Sequence, residues 1–328
     1  MADTKVFSPR VIADFSIVAA LSVVLVLTAA YAPFLGTLAM LIWAVPLMAL
    51  VQRRGLGAAV LALIVISVAS VLLAGVVSGL FSVAWIGFFG LVYGVCFRKR
   101  VSPLSTLAAG TLISGIIMVA ALALGAVLGA FSFDSFIATM TDTMNEVIDM
   151  YESAGVLGQL LPQGMTVEEY QTEVLDLMKM ILPACFIVYG MISAALNYIF
   201  AAVILRRLNY DITPLPPFRD WHFPWWILWA IVVALIAYLM GNQWPEGHYH
   251  QIALNILYIY LPIFLISGIS MVAWLLHAMN VRRGTKIIVW VACLFLARFS
   301  LLLLMIIGAI DPVVDYRKMY QKGLKNKS

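Results

Sequence analysis

The stretch LGAAVLALIVISVASVLLAGVVSGLFSVAWIGFFGLVYGVCFRKR, residues 56–100, carries no charge until Arg98 and then three in a row, Arg98, Lys99 and Arg100. A helix needs roughly 20 apolar residues to cross a hydrocarbon core of about 30 Å. The stretch holds two such runs, 56–75 and 79–97, closed by a basic turn. Working outward, further runs lie at 11–31, 34–51, 104–131, 177–205, 223–241, 252–277 and 287–309. Across 328 residues, 64% are hydrophobic and 11% charged, with mean hydropathy +1.02, whereas a soluble domain carries roughly 25% charged residues. A water-soluble fold is excluded. The expected class is all-α: a polytopic transmembrane helix bundle of about nine spans, eight if the last run is re-entrant, with an external amphipathic helical connection.

Lys5 and Arg10 precede an apolar stretch ending in Ala30-Tyr31-Ala32, which superficially resembles a signal peptide and its cleavage site. Pro33 follows at once and the stretch is long enough to span, so it reads as a retained first helix. Cys96, Cys185 and Cys293 each stand alone in an apolar run and read as reduced, small hydrophobes. The net charge of +4 comes from segregated clusters rather than a basic face, so nucleic acid is not an expected partner.

Positively charged loops stay on the cytoplasmic side. Arg53-Arg54, Arg98-Lys99-Arg100, Arg206-Arg207 with Arg219, and Arg282-Arg283 with Lys286 share one side if every run crosses once, which makes that side and the N-terminus cytoplasmic. The other side receives Asp134, Asp142, Glu146, Asp149, Glu152, Glu168, Glu169, Glu173 and Asp176, nine of the sixteen acidic residues, in the connection 132–176. Within it Phe136, Ile137, Met140, Met144, Val147, Ile148 and Tyr151 recur at helical spacing, which predicts an amphipathic helix lying on the membrane or closing over a cavity. A Pro162-Gln163-Gly164 break follows. Thr166 through Glu169 then reads as a capping box, starting a helix that enters the bilayer with a bend at Pro183.

Gly75 with Gly79, Gly90 with Gly94, and Gly125 with Gly129 have the spacing that lets helix backbones approach closely. Pro46, Pro183 and Pro262 lie inside spans and read as kinks. The P-loop, zinc-helix and nucleophile-turn motifs are missing, so no enzyme is expected. Glu246, His248 and His250 in an external turn read as solvated loop residues rather than metal ligands, and neither metal nor cofactor is expected; His222 and His277 sit at span ends and carry no motif.

Candidate ligand-binding residues are polar or aromatic groups inside apolar spans: Arg298, Asn197, Tyr189, Asn255, Tyr258, Trp85 and Tyr93. Arg298 stands near the middle of the last run, where a guanidinium costs about 2.5–3.5 kcal/mol on insertion scales. It requires a partner: an anionic substrate group, helix carbonyls or Asp14. Asp14 also stands four residues after Arg10, the spacing of an i,i+4 pair. Asn197 with Tyr198, and Asn255 with Tyr258 and Tyr260, read first as interhelical hydrogen-bonding groups and second as ligand contacts. Trp85 and Tyr93 flank a glycine stripe, Gly87, Gly90 and Gly94, and are placed to stack on a planar ligand or to anchor at the interface; Trp221, Trp225, Trp226 and Trp229 read as an interfacial belt.

Four segments, MTVEEYQTEVLDLMKMILPACFIVYG (165–190), AALNYIFAAVILRRL (194–208), ITPLPPFRDWHFPWW (212–226) and MIIGAIDPVVDYRK (305–318), together resemble the YybS-like family of bacterial membrane proteins. The resemblance covers essentially the whole chain and implies a bacterial inner-membrane location. The first six spans, with Val45-Pro46-Leu47 ending the second and a basic turn after it, also resemble the substrate-binding subunits of energy-coupling-factor vitamin transporters. Those subunits carry a paired-alanine docking spacing on the first helix, where this chain has Ser16 and Ala20.

The resulting expectation is a six-span N-terminal bundle (1–210) around an externally accessible pocket covered by 132–176, a three-span C-terminal part (211–310) and a basic tail (311–328). Its function is small-molecule binding or transport, any active uptake requiring a separate energising partner or an ion gradient; the alternative is a protein that scaffolds a membrane complex. The tail poses a conflict. Counting crossings puts it outside, yet it carries Arg317, Lys318, Lys322, Lys325 and Lys327 against Asp311 and Asp315. The run 287–309 is long enough to span, so a ninth crossing is the reading adopted over a fold-back around Arg298.

Overall fold

The computed structural model describes residues 9–129, 132–156, 161, 164–244, 247–314 and 316–318, without the side chains of Arg10, Pro33 and Arg298. Among these residues eight helices are long and apolar enough to cross a membrane, or nine if a bent pair at the end counts as one. The chain forms two compact units, Met1–Gln171 with Tyr189–Pro214, and Thr172–Val188 with Leu215–Ser328. Segment 172–188 therefore groups with the C-terminal residues.

The first unit starts with α1 (Pro9–Tyr31). The next span is two helices, α2 (Pro33–Ile42) and α3 (Val45–Arg54), parted at Trp43 and Ala44. Pro46 lies in the first turn of α3, where its missing N–H removes no helix bond, so the proline starts a new helix instead of kinking an old one. α4 (Leu56–Ala74) and α5 (Val76–Arg98) meet at Gly75, whose φ of +86° suits glycine alone. Gly75 is thus a turn residue and not half of a packing pair. Gly129, at φ +68° after α6 (Pro103–Val127), is likewise a turn.

The glycine stripe does pack. A methyl group on Gly87, Gly90 or Gly94 would meet Leu63, Leu47 or Val51 within 2.6–2.8 Å, so α5 lies directly against α4 and α3. Residues 81, 85, 89, 93 and 97 recur at i,i+4 and form an aromatic ladder with successive ring centroids 5.3–6.2 Å apart. The amphipathic helix expected in the connection is α7 (Phe133–Ser153), begun by Ser132 and burying Ile148. The expected capping box opens α8 (Val167–Arg207): Thr166 N–H donates to Glu169 Oε2 at 2.9 Å and Glu169 N–H to Thr166 Oγ1 at 3.2 Å. The Pro162-Gln163 break lies outside the described residues. At 1.5 Å per residue α8 is about 60 Å long, twice the hydrocarbon thickness, so it projects well beyond the bilayer.

In the second unit, α8 stays helical through Pro183 because Asn255 of α10 (Tyr249–Ala278) serves the interrupted turn. Asn255 Oδ1 accepts from Ala184 N–H at 2.7 Å, and Nδ2 donates to the Met180 carbonyl at 2.7 Å. α9 (Trp229–Gln243) packs on α10. Trp225, Trp226 and Trp229 are exposed around its start, as an interfacial belt requires. Trp221 is not part of that belt: it stacks on Phe218 and donates to the Pro216 carbonyl at 3.0 Å.

The last run is sharply bent. α11 (Arg283–Phe295) buries no residue and meets α12 (Ala297–Val314) at 111°. α12 crosses α10 where Gly268 and Gly308 bring backbone against backbone. Beyond it, Arg317 donates to the carbonyls of Arg219 (2.9 Å) and Trp221 (2.8 Å) and to Ser270 Oγ (3.1 Å), and pairs with buried Asp311 at 3.7 Å. Ser270 lies toward the end of α10 that leads into the Arg282-Arg283 turn, so within this unit the start of the tail packs near that end. The expected last run is thus a bent pair whose second helix leads back toward the end of α10 from which the first departs.

Three outcomes are expected. In a background with Cys96, Cys185 and Cys293 replaced, a cysteine at Lys318 labels with an impermeant maleimide from the same side as one at Arg282, and from the opposite side to one at His248. Gly268→Ala lowers stability in detergent by about 1–3 kcal/mol because the helices have no room for a methyl group. Gly115→Ala, with nothing within 4 Å of the new Cβ, raises it by about 0.5–1 kcal/mol in the same thermal unfolding assay.

Candidate functional site

The seven sequence-derived site residues are divided between the two units. Trp85, Tyr93, Tyr189 and Asn197 belong to the first unit, and Asn255, Tyr258 and Arg298 to the second. Trp85 and Tyr93 are 2% and 0% exposed, and neighbouring rings fill the space a planar ligand would take. Trp85 meets Phe89 at 5.4 Å and Tyr189 edge-on at 6.2 Å. Tyr93 meets Tyr198 edge-on at 5.7 Å and donates to the Ala194 carbonyl at 3.0 Å. Asn197 is buried and donates to the Ser193 carbonyl at 3.0 Å. Asn255 is engaged at the Pro183 turn, Tyr258 is half-buried, and the Arg298 side chain lies outside the described residues. His250 bonds Asn242 at 3.1 Å, and Glu246 lies outside the described residues.

The structure has a cleft elsewhere in the first unit, about 320 Å³ in volume. Its α1 wall is Ile17, Val18, Leu21 and Leu25, following Asp14 at helical spacing so that all five share one face. Ile42 of α2 with Val45, Pro46, Ala49, Leu50 and Arg53 of α3 make the second wall, and Ile204, Leu208 and Tyr210 at the end of α8 make the third. The α2–α3 break thus borders the cleft near the middle of its span, and Asp14, Arg53 and Tyr210 form a polar rim at the other end.

That rim is bonded across long sequence distances. Asp14 Oδ2 lies 2.8 Å from Arg54 Nη2 and 2.9 Å from Nε, and Oδ1 lies 3.5 Å from Arg53 Nη1. Asp14 is thus held by two arginines at the end of α3, while the side chain of its expected i,i+4 partner Arg10 lies outside the described residues. Arg53 Nε also donates to Tyr210 Oη, with the guanidinium 5.9 Å from the ring centroid. Beside the rim, Arg98 caps α3 by donating to the Val51 carbonyl at 3.0 Å, Gln52 donates to the Gly94 carbonyl at 3.0 Å, and Arg100 pairs with Asp211. Two cations face one anion at the cleft mouth, leaving it positive.

The cleft therefore lies at the end with the basic turns, not beneath the 132–176 connection as the sequence reading had it. That connection follows α6, whose first residue Pro103 is at the basic end, so it emerges a helix length away. The rim escaped the sequence reading because its acid and its bases are about 40 residues apart. One signal was available: the start of a first span and the end of a second share a side, which brings Asp14 to Arg53-Arg54.

The family described as "Predicted membrane protein (DUF2232)" matches residues 20–312. The chain is also 24% identical over 283 residues to the "Uncharacterized protein YybS" of Bacillus subtilis (strain 168), covering 85% of this chain and 88% of that one. No solved structure matches. A match over nearly the full length, on a chain whose helices have the size and composition of membrane spans, places the protein in the DUF2232 family of membrane proteins.

Proposed function

We propose that the protein binds a small molecule in the cleft between α1, α3 and the end of α8, and serves a bacterial cell membrane as a binding or transport protein rather than as an enzyme. The observation that carries this reading is the cleft: apolar walls, one polar end, and a volume of about 320 Å³, within the range of roughly 300–1,000 Å³ usual for ligand pockets. Its lining includes no Ser, Thr, Cys or His, so its side chains supply recognition by charge and shape rather than covalent chemistry. The basic turns support a cytoplasmic N-terminus, with the cleft mouth on that side. The bacterial relative supports the location. Active uptake requires an energising partner, as in the energy-coupling-factor transporters whose substrate-binding subunits the first six spans resemble.

The scaffold reading draws support from α7, which combines acidic residues with exposed Phe133, Met150 and Tyr151, a surface suited to a partner helix. Mass spectrometry of extracts separates the two. Protein purified in mild detergent yields one reproducible small molecule on the ligand-binding reading, and Leu21→Trp lowers its recovery at least fivefold; Leu21 is 48% exposed at the cleft edge, so the larger ring fills the cleft without entering a packed interface. A blank from the wild-type protein, with no thermal shift across a metabolite panel, favours the scaffold.

A further inference from the structure

The chemistry of the cleft narrows its occupant. Resting on the reading of the cleft as a ligand site, we propose that it holds one chain of an anionic membrane lipid drawn from the leaflet on the side of the basic turns, with the lipid phosphate taking the place of Asp14 on Arg53 and Arg54. Depth, access and charge each point to this occupant.

Depth comes first. From Asp14 to Leu25 the α1 wall rises eleven residue steps, about 16 Å at 1.5 Å per residue, or half of a hydrocarbon core of about 30 Å. The far end is bordered by the α2–α3 break near the middle of its span. A cleft that begins at a charged rim and stops near mid-membrane has the reach of one leaflet, which suits an acyl chain better than a polar solute. Access is lateral: Ile17 and Leu21 are 64% and 48% exposed on the cleft-facing side of α1, so a chain enters from the bilayer without first crossing water.

Charge then selects the headgroup. Arg53 and Arg54 outnumber Asp14 at the mouth. A guanidinium has five N–H donors; those of Arg53 go to Tyr210 at Nε and, at 3.5 Å, to Asp14 at Nη1, which leaves donors for a phosphate. Tyr210 Oη accepts from Arg53 and keeps its own proton to donate. Asp14 is a resident anion on the same two arginines, so a lipid phosphate competes with it directly, and removing its charge strengthens lipid binding. A purely structural salt bridge makes no such prediction.

The test uses native mass spectrometry on the full-length protein in detergent, titrated with dioleoyl-phosphatidylglycerol, with dioleoyl-phosphatidylcholine of identical chains, and with inorganic phosphate. Expected are one equivalent of phosphatidylglycerol bound at least tenfold more tightly than phosphatidylcholine, no displacement by millimolar phosphate, and loss of the tenfold preference in Arg53→Gln/Arg54→Gln. Asp14→Asn raises phosphatidylglycerol affinity severalfold, a gain that misfolding cannot imitate. Equal affinity for the two lipids overturns the proposal, as does displacement by inorganic phosphate or an Asp14→Asn variant with unchanged or weaker binding. If both lipids bind equally and Leu21→Trp still removes them, the cleft is a ligand site with a different preference. If Leu21→Trp changes nothing, the underlying reading fails as well.

Discussion

In hydrocarbon a backbone carbonyl or amide has no water to bond, so wherever a helix breaks, bends or ends at depth the protein itself must supply the partner. That constraint orders much of what holds this chain together. The turn at Pro183 is served by the Asn255 amide, which donates and accepts at once. The end of α3 is capped by Arg98 on the Val51 carbonyl. Arg317 and Ser270 gather the carbonyls of Phe218, Arg219 and Trp221, where the chain is neither helix nor strand in regular length. In each case a side chain distant in sequence completes a backbone need, and each such bond ties two elements together.

Close approach is the second requirement, because lipid tails are as apolar as the side chains and give helices no hydrophobic reason to associate. α5 meets it by dividing its surface. One face is stripped to Gly87, Gly90 and Gly94 so that leucine and valine side chains of α3 and α4 reach its backbone, and another is loaded with the rings at 81, 85, 89, 93 and 97. Gly110 of α6 accepts the Tyr93 phenol on the loaded face, while Gly268 and Gly308 do the same for α10 and α12 with backbone alone. Dispersion contacts, small singly and large in sum, replace the hydrophobic effect as the cohesive term.

The spans, the capping box and the amphipathic α7 were legible because each is a local pattern: a run length, a three-residue interval, a 3.6-residue period. The aromatic ladder was equally open to counting, yet attention to the glycines on the neighbouring face hid it. The prolines were not legible. Pro46 separates two helices whereas Pro183 and Pro262 stay inside continuous ones, and for Pro183 the difference lies in an asparagine about 70 residues away. Asp14 shows the same limit, since its contacts with Arg53 and Arg54 lie far beyond the reach of a local i,i+4 rule. The last run was legible in its length but not in its bend, because the 111° turn and the contacts of Arg317 with Arg219, Trp221 and Ser270 join residues far apart in sequence.

The cleft joins these themes. An unbroken second span would present one continuous face to α1 from end to end. With the break at Trp43 and Ala44, α2 and α3 pack on α1 as separate helices, and the cleft opens along α3 and stops where α3 begins. Gly36 lets α2 sit almost on the backbone of Ala29, so the half of the span beyond the break is closed tightly against α1. The other half spreads around larger side chains, and its far end is held by Asp14 between two arginines. A helix pair that is shut at one half and clasped by charge at the other has a defined place to open, and the clasp is the part that an anion can release.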